Sequence, residues 1–460
     1  MTATLESTSP QAPSDVIATV PEMSADDVRA AYARAKEAAR SWATGTATSR
    51  SVALDTCATA LARASDEMAE LVVREVGKPL TEARGEVARG IAILRYYAQL
   101  ALLPEGDVIP SADGVSLLHT RRKPHGVAGL ITPWNFPVAI PLWKAAPALA
   151  FGNTVLLKPA EESPACALRL AEIFSSAFPE GVFQVVTGGG EAGAAVISVA
   201  DVVSFTGSTA VGASIRKAAA ERGIPAQCEM GGQNASIVLP DADLAVAARV
   251  IAGAAMGYAG QKCTATSRVI VVGGQSAADA FAEQLGAAVA ALSYGDPASA
   301  DTVVGPVINS DARSAVVSSV SAAVSAGGVA VTGGTAGDSE GWYVSPAVVS
   351  RLAADDRLLR EEVFGPVCAV VAASDADDAV RITNSVPYGL VAAVFTDSLG
   401  SALKLVPQLE VGMAKVNAPT SGVDYFAPFG GDKDSSYGPR EQGTAARDFY
   451  TKTMTVTFAP

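Results

Sequence analysis

The chain is 460 residues long and 49% hydrophobic, enough apolar material for a large core spread over two or three domains. Its 47 acidic residues against 34 Lys and Arg leave a formal net charge of −13, which argues against nucleic acid and against an anionic membrane surface as partners. The five cysteines, Cys57, Cys166, Cys228, Cys263 and Cys368, show no C-x-x-C and no metal-ligand spacing, so free thiols in a reducing compartment and no metal centre are expected.

In chain order, residues 1–15 are rich in Ser, Thr and Pro and are predicted to be mobile. Met1–Pro10 has neither the basic start nor the apolar run of a signal peptide, and a cytoplasmic protein is expected. Ser24-Ala25-Asp26-Asp27 reads as a helix start, and helices are predicted over about 24–43, 48–76 and 80–103, punctuated by Gly77 and Pro79. Two uncharged stretches could be mistaken for membrane spans. Gly126–Trp143 carries Pro133, Pro137 and Pro141 and suits a turn-rich segment; Ser314–Gly337 reads as a helix, a turn and a strand.

From Gly126 short apolar runs alternate with helical ones: Val127–Thr132, a helix from Pro137, Thr154–Leu157, a helix from Ser163, Val182–Val186, a helix from Glu191, Val202–Phe205 and a helix from Ser208. This alternation predicts an α/β fold with a parallel sheet and helices on both faces, whose ligands bind beyond the carboxyl ends of the strands. A second alternating region runs from Ala235 to about Val416, with a strand at Ser267–Val272, a helix at about 276–291 and a strand at Leu390–Thr396. Tyr450–Phe458 alternates threonine with mostly apolar residues and reads as a strand needing an edge, which another subunit could supply.

Three strand-to-helix loops are candidates for a dinucleotide. Gly188-Gly189-Gly190-Glu191-Ala192-Gly193 matches G-x-G-x-x-G, but the acidic residue expected about 20 positions later is missing, and the glycines are equally a flexible turn. Phe205-Thr206-Gly207-Ser208-Thr209 can present backbone N–H groups and Ser208 to a pyrophosphate, or Ser208 is an ordinary helix cap. Lys158 and Glu161 in Lys158-Pro159-Ala160-Glu161 can share ribose hydroxyls, or form a solvated turn.

Gly260-Gln261-Lys262-Cys263-Thr264-Ala265 sets a thiol beside a lysine, where a lowered thiol pKa and a nucleophile are expected; the plainer reading is a small buried residue. The only two histidines, His119 and His125, have no motif around them, so a Cys-His pair has little support.

Ile131-Thr132-Pro133-Trp134-Asn135-Phe136-Pro137, Lys158–Glu161, Phe205–Thr209, Glu229-Met230-Gly231-Gly232, Gly260–Cys263 and Glu362-Val363-Phe364-Gly365-Pro366 occur in that order, and together they resemble the aldehyde dehydrogenase superfamily. The resemblance runs from Ile17-Ala18-Thr19-Val20-Pro21 to the last strand. It implies a modified Rossmann cofactor domain (1–104 and 125–233), an α/β catalytic domain (234–444) and a small β oligomerisation sheet (105–124 and 445–460) in a homodimer or homotetramer. It implies NAD as cofactor, with NADP possible, and a small-molecule aldehyde as substrate.

The catalytic residues implied are Cys263 as nucleophile, Asn135 with the Cys263 backbone N–H as oxyanion donors worth about 3–4 kcal/mol each, Glu229 as general base and Lys144 in proton relay. Cofactor contacts implied are Ile131, Thr132, Trp134, Lys158, Glu161, Gly189, Phe205, Gly207, Ser208, Met230, Gly231, Glu362 and Phe364. The substrate pocket implied is Phe136, Trp143, Lys262, Thr264, Tyr425, Phe426 and Phe429. Each has a plainer reading: Asn135 as a turn residue, Glu229 and Lys144 as surface charges, Glu362 as helix-flanking charge, and the rings as core.

Gly260–Arg268, Val416–Tyr425, Pro428–Gly431 and Ser435–Gly443 resemble the α-ketoglutaric semialdehyde branch of that superfamily, whose substrate carries a far carboxylate. The chain departs from the branch at Phe426, commonly His, and at Asp432, commonly basic, and both changes remove positive charge. An aromatic or medium-chain aldehyde is therefore the alternative substrate. A CoA-acylating relative usually lacks the carboxylate found here at Glu229, and a silent binding protein would not need Cys263, Glu229 and Asn135 together.

Overall fold

Apolar runs that are buried along their whole length, flanked by helices, give parallel strands covered on both faces. In the computed structural model, which describes residues 3–460, four such strands and a half-buried edge strand, Phe183–Val185, form a parallel sheet in the order Ala226–Glu229, Val202–Thr206, Val127–Ile131, Thr154–Lys158, Phe183–Val185. The strand order reverses at Val127–Ile131, so the crevice beyond Ile131 and Thr206 is the topological switch point where α/β sheets bind ligands. A short antiparallel strand, Ser436–Tyr437, closes the edge beside Glu229. The span expected at 234–444 thus sends one strand back into the first sheet.

The second sheet has seven strands in the order Val329–Thr332, Ala347–Ser350, Val367–Ala373, Thr266–Val272, Asn234–Val238, Val391–Phe395, Met413–Val416, all parallel except the first. The third sheet is antiparallel, with Leu117–Pro124 between Val108–Ile109 and Thr451–Phe458. The C-terminal strand therefore finds its edge in its own chain, in register from Thr451 opposite Pro124 to Phe458 opposite Leu117.

Two expectations are corrected. Within the stretch expected to be mobile, Thr4–Ser9 pairs with Ala12–Pro21 in an antiparallel hairpin; residues 1–2 lie outside the described residues. Thr and Ser suit a strand once a ladder and packing are available. Here Ser7 Oγ donates to Glu75, Gln11 Nε2 to the Val73 carbonyl, and Trp342 N to the Pro10 carbonyl. The helix expected over 48–76 is two, Ala47–Arg63 and Ser65–Val76, broken at Ala64. The helix Ala25–Thr44 does start on a reciprocal Ser24–Asp27 capping box. No described helix is long and apolar enough to cross a membrane.

The third sheet is fastened to the first through Asn153, which is fully buried. Its Oδ1 accepts from the backbone N–H groups of His125 and Gly126, and its Nδ2 donates to the carbonyls of Ala148 and Tyr450. Asn153→Ala strands several buried backbone groups and is expected to lower stability by about 2–4 kcal/mol. A urea midpoint that does not move would refute that fastening.

Candidate active site

The helix Leu244–Met256 ends in a turn that few residues can adopt. Tyr258, Ala259 and Gly260 have φ of 55°, 52° and 68°, in the left-handed region. A Cβ on Gly260 would lie 2.2 Å from the Gly365 carbonyl oxygen, so glycine is required there. The strain is held by buried partners. Tyr258 Oη donates to the Val76 carbonyl at 3.1 Å. Gln261 donates to the Pro306 carbonyl at 3.2 Å and accepts from Ile308 N at 2.8 Å. Asn135 Nδ2 donates to the Gln261 carbonyl at 2.9 Å, and Asn234 Nδ2 donates to the carbonyls of Cys263 and Ala265, each at 2.8 Å. Cys263 is thus presented, partly buried, from a loop tied down on both sides.

One helix, Leu80–Leu100, braces both halves of this arrangement. Glu86 accepts from Val138 N at 2.8 Å and Ala139 N at 2.9 Å, fixing the start of the helix Ala139–Ala150 just after Asn135. Glu86 also pairs with Lys78, which lies over the rings of Phe136 at 3.6 Å and Tyr258 at 4.7 Å. Glu82, one turn earlier, takes the Lys262 ammonium at 2.8 Å.

That last contact bears on the thiol. The Lys262 charge is spent on Glu82, and burial, with the carboxylates of Glu362, Glu229 and Glu441 adding to it, pushes the Cys263 thiol up to about 12. The lowered pKa expected from the Lys262-Cys263 neighbourhood is overturned. Desolvation and nearby anions outweigh an adjacent cation that already has a partner.

Glu229 and Lys144 are both buried, so neither is a surface charge. Glu229 ends its strand between Thr206 and Ser436, and its Oε2 accepts from Ser436 Oγ while Oε1 has no partner. Burial and the charge of Glu441 hold the Glu229 carboxyl well above the ordinary range, against the opposing Ser436 hydroxyl, Lys144 and Arg440. Lys144 Nζ donates to Ser204 Oγ at 2.8 Å and pairs with Glu441, whose Oε2 is also without a partner. A proton can be held or passed across this group. Glu229 begins the segment that leads to Asn234, whose amide holds the Cys263 carbonyl, and the charges of Glu229 and Glu441 help raise the Cys263 thiol.

A cleft of about 800 Å³ opens at the carboxyl ends of the first sheet. Ile131, Thr132, Trp134, Lys158, Glu161, Gly189, Phe205, Gly207 and Ser208 all line it. Thr132 and Thr206 carry buried hydroxyls there with no partner, which suits a polar ligand. Lys158 has no carboxylate within ion-pair distance among the described residues, and burial pulls its pKa down. A Cβ on Gly189 would come within 2.6 Å of Glu161, so glycine keeps this mouth open. Ser208 does cap its own helix, accepting from Val211 N.

Met230, Gly231, Glu362 and Phe364 are not among the residues lining that cleft. Met230 lies under Gly212, while Glu362 folds against Gly231 and accepts from Gly232 N at 3.1 Å, burial pushing its carboxyl up to about 7. Phe364, at φ 55°, stands edge-on at 5.7 Å to Trp134, which does line the cleft.

The residues expected around substrate separate. Trp143 and Phe429 are buried and tilt on each other at 5.7 Å, and Thr264 is buried too. Phe136 faces Tyr258, and Tyr425 packs between Tyr96 and Phe426. Phe426 is 56% exposed.

A model of the aldehyde dehydrogenase family matches residues 1–456. The chain belongs to the aldehyde dehydrogenase family. Among its relatives in that family, it is 41% identical over 454 residues to alpha-ketoglutaric semialdehyde dehydrogenase of Bacillus subtilis (strain 168), covering 97% of this chain and 93% of that one. It is 39% identical to alpha-ketoglutarate semialdehyde dehydrogenase of Haloferax volcanii, covering 98% and 95%. The solved NAD-dependent aldehyde dehydrogenase from Sinorhizobium meliloti superposes with a TM-score of 0.95 at 34% identity, covering 99% of this chain and 91% of that one.

Within this family member, sequence reading passed over Lys78, Glu86, Asn234 and Ser204 altogether and gave Glu441 no role. Lys78 sits in a Gly-Lys-Pro loop and Glu86 in a helix that carries several other charges, so nothing local in the sequence marked either as buried.

A thiol pushed up to about 12 is protonated at neutral pH. In the cofactor-free protein, alkylation of Cys263 by iodoacetamide, followed by peptide mass spectrometry, is expected to speed up about tenfold per pH unit from 7 to 10. A rate that levels off near pH 7 would instead mean a resident thiolate.

Proposed function

We propose that the protein oxidises an aldehyde to a carboxylate with NAD, through a covalent adduct on Cys263, and that the aldehyde is α-ketoglutaric semialdehyde. The observation that carries the chemistry is the convergence of Asn135 on the Cys263 loop, with Glu229 on the segment that leads to Asn234, whose amide holds the Cys263 carbonyl. The relatives named for that semialdehyde, matched over nearly their whole lengths, support the substrate.

Cys263 Sγ adds to the aldehyde carbon as its proton passes to a neighbouring base. The Asn135 amide has one N–H on Gln261 and one left for the oxyanion, which the Cys263 backbone N–H shares. NAD held in the cleft would supply the acceptor for the hydride that leaves that carbon, and an acyl group would remain on sulfur. Glu229, buried beside the Lys144–Glu441 pair, draws a proton from water as the water attacks the acyl carbon. Lys144 and Glu441 hold Glu229 in a compensated field and offer its proton a way onward. The carboxylate product leaves and the thiol is restored.

For the cofactor, Ile131, Thr132, Trp134, Phe205, Gly207 and Ser208 form walls, and Lys158 and Glu161 take the adenosine ribose hydroxyls. A 2′-phosphate would come close to Glu161, so NAD is preferred over NADP. Assembly is assigned to the three-stranded sheet, where Val108, Leu117 and Phe458 are exposed and a second copy can cover them.

Two measurements test this. Glu229→Gln should give a burst of reduced cofactor, then turnover slowed by about 100-fold or more, with the acyl-enzyme visible by mass. Steady turnover with no trapped adduct would remove Glu229 as the base. In the wild type, kcat/KM should favour α-ketoglutaric semialdehyde over hexanal and benzaldehyde, and NAD over NADP. Uncharged aldehydes ahead by tenfold, about 1.4 kcal/mol of transition-state preference, would overturn the substrate.

A further inference from the structure

A substrate ending in a carboxylate needs a cation at that end, because an unpaired buried charge is costly. Phe426 is uncharged, and Lys262 is already bound to Glu82. The helix Leu80–Leu100 offers another cation. Glu82, Glu86, Arg89, Ile93 and Tyr96 follow a spacing of four, three, four and three residues and share one helix face. The members flanking Arg89 on this face each reach a loop of the site: Glu82 holds Lys262 beside Cys263, Glu86 holds the helix start after Asn135, and Tyr96 meets the Tyr425 ring at 5.6 Å.

Arg89 therefore sits between the two catalytic loops and the aromatic segment. Its Nη1 donates to the Val423 carbonyl at 2.6 Å, and no carboxylate lies within ion-pair distance of it among the described residues. Lys415, from the strand Met413–Val416, reaches the same loop, with Nζ donating to the carbonyls of Ser421, at 2.9 Å, and Gly422. Desolvation lowers the Lys415 pKa, exposed Asp424 opposes that, and the Arg89 charge adds to it. Two cations thus meet on the 421–424 loop while Asp424 forms a salt bridge with neither.

We infer that Arg89, supported by Lys415, binds the far carboxylate of the substrate and makes this enzyme selective for an acidic aldehyde. The inference rests on the substrate proposed above. A guanidinium fork matches a carboxylate in two parallel hydrogen bonds, and the Val423 carbonyl aims it. The missing positive charge at Phe426 and Asp432 is then supplied from a different element.

The test is the ratio of kcat/KM for α-ketoglutaric semialdehyde to that for hexanal, in wild type, Arg89→Met, Arg89→Lys and Lys415→Met. Arg89→Met should lower the ratio by about thirtyfold or more, chiefly through KM for the semialdehyde, with Arg89→Lys recovering part of it and Lys415→Met falling less. Residual hexanal turnover in the same preparation reports a folded active site. If wild type favours the semialdehyde and Arg89→Met keeps that ratio, the inference fails and the proposed substrate stands. Equal losses on both aldehydes would make Arg89 a brace for the loop and also overturn the inference. If wild type favours hexanal, the proposed substrate fails and the inference with it.

Discussion

Lys78 and Glu86 have been taken out of water almost completely, and they hold each other. Burying two such charges costs several kcal/mol per ion unless every remaining polar atom is used. Here each is used. The second oxygen of Glu86 accepts two backbone N–H groups at the start of the helix after Asn135, and the Lys78 ammonium lies against the faces of Phe136 and Tyr258. The Asn135 and Cys263 loops lie far apart in sequence and belong to different sheets, yet both rest on this one pair. The hydrogen bond from Asn135 to Gln261 depends on it. Removing either partner would leave the other charge stranded, a loss of about 3–5 kcal/mol.

The electrostatics at the thiol follow from the same economy of cations. Lys78, Lys144 and Lys262 each have a carboxylate partner. Glu229 and Glu362 have none, and both are shifted upward with Cys263. The site is acidic and buried, so at neutral pH its thiol keeps the proton. Such a site protects its thiol from adventitious oxidation, which proceeds through the thiolate.

Four strands of the first sheet were legible because each, with its following loop, is a local pattern of an apolar run, a turn and a helix start; Ala226–Glu229 and Ser436–Tyr437 lack that pattern and were not. The cleft residues were legible for the same reason, since Ile131 to Trp134, Lys158 to Glu161 and Phe205 to Ser208 each follow a strand of the same parallel sheet. The N-terminal hairpin was not, because Ser and Thr form a strand only where another segment supplies packing. Glu441 and Asn234 were not either. A single polar residue has no period, and its importance lies in what folds against it.

The sequence by itself determined the α/β class, the alternation of strands and helices from Val127 to the helix after Ser208, and the run of loops that identifies the family, because these depend on neighbours within a few residues. Only the tertiary structure decided where charges end up. It turned Lys262 away from Cys263 to Glu82, raised the thiol's pKa, buried Lys144 against Glu441, and set Arg89 beside Val423. The reason is that a pKa and an ion pair depend on distance in space and on the loss of water, and neither can be read from separation along the chain.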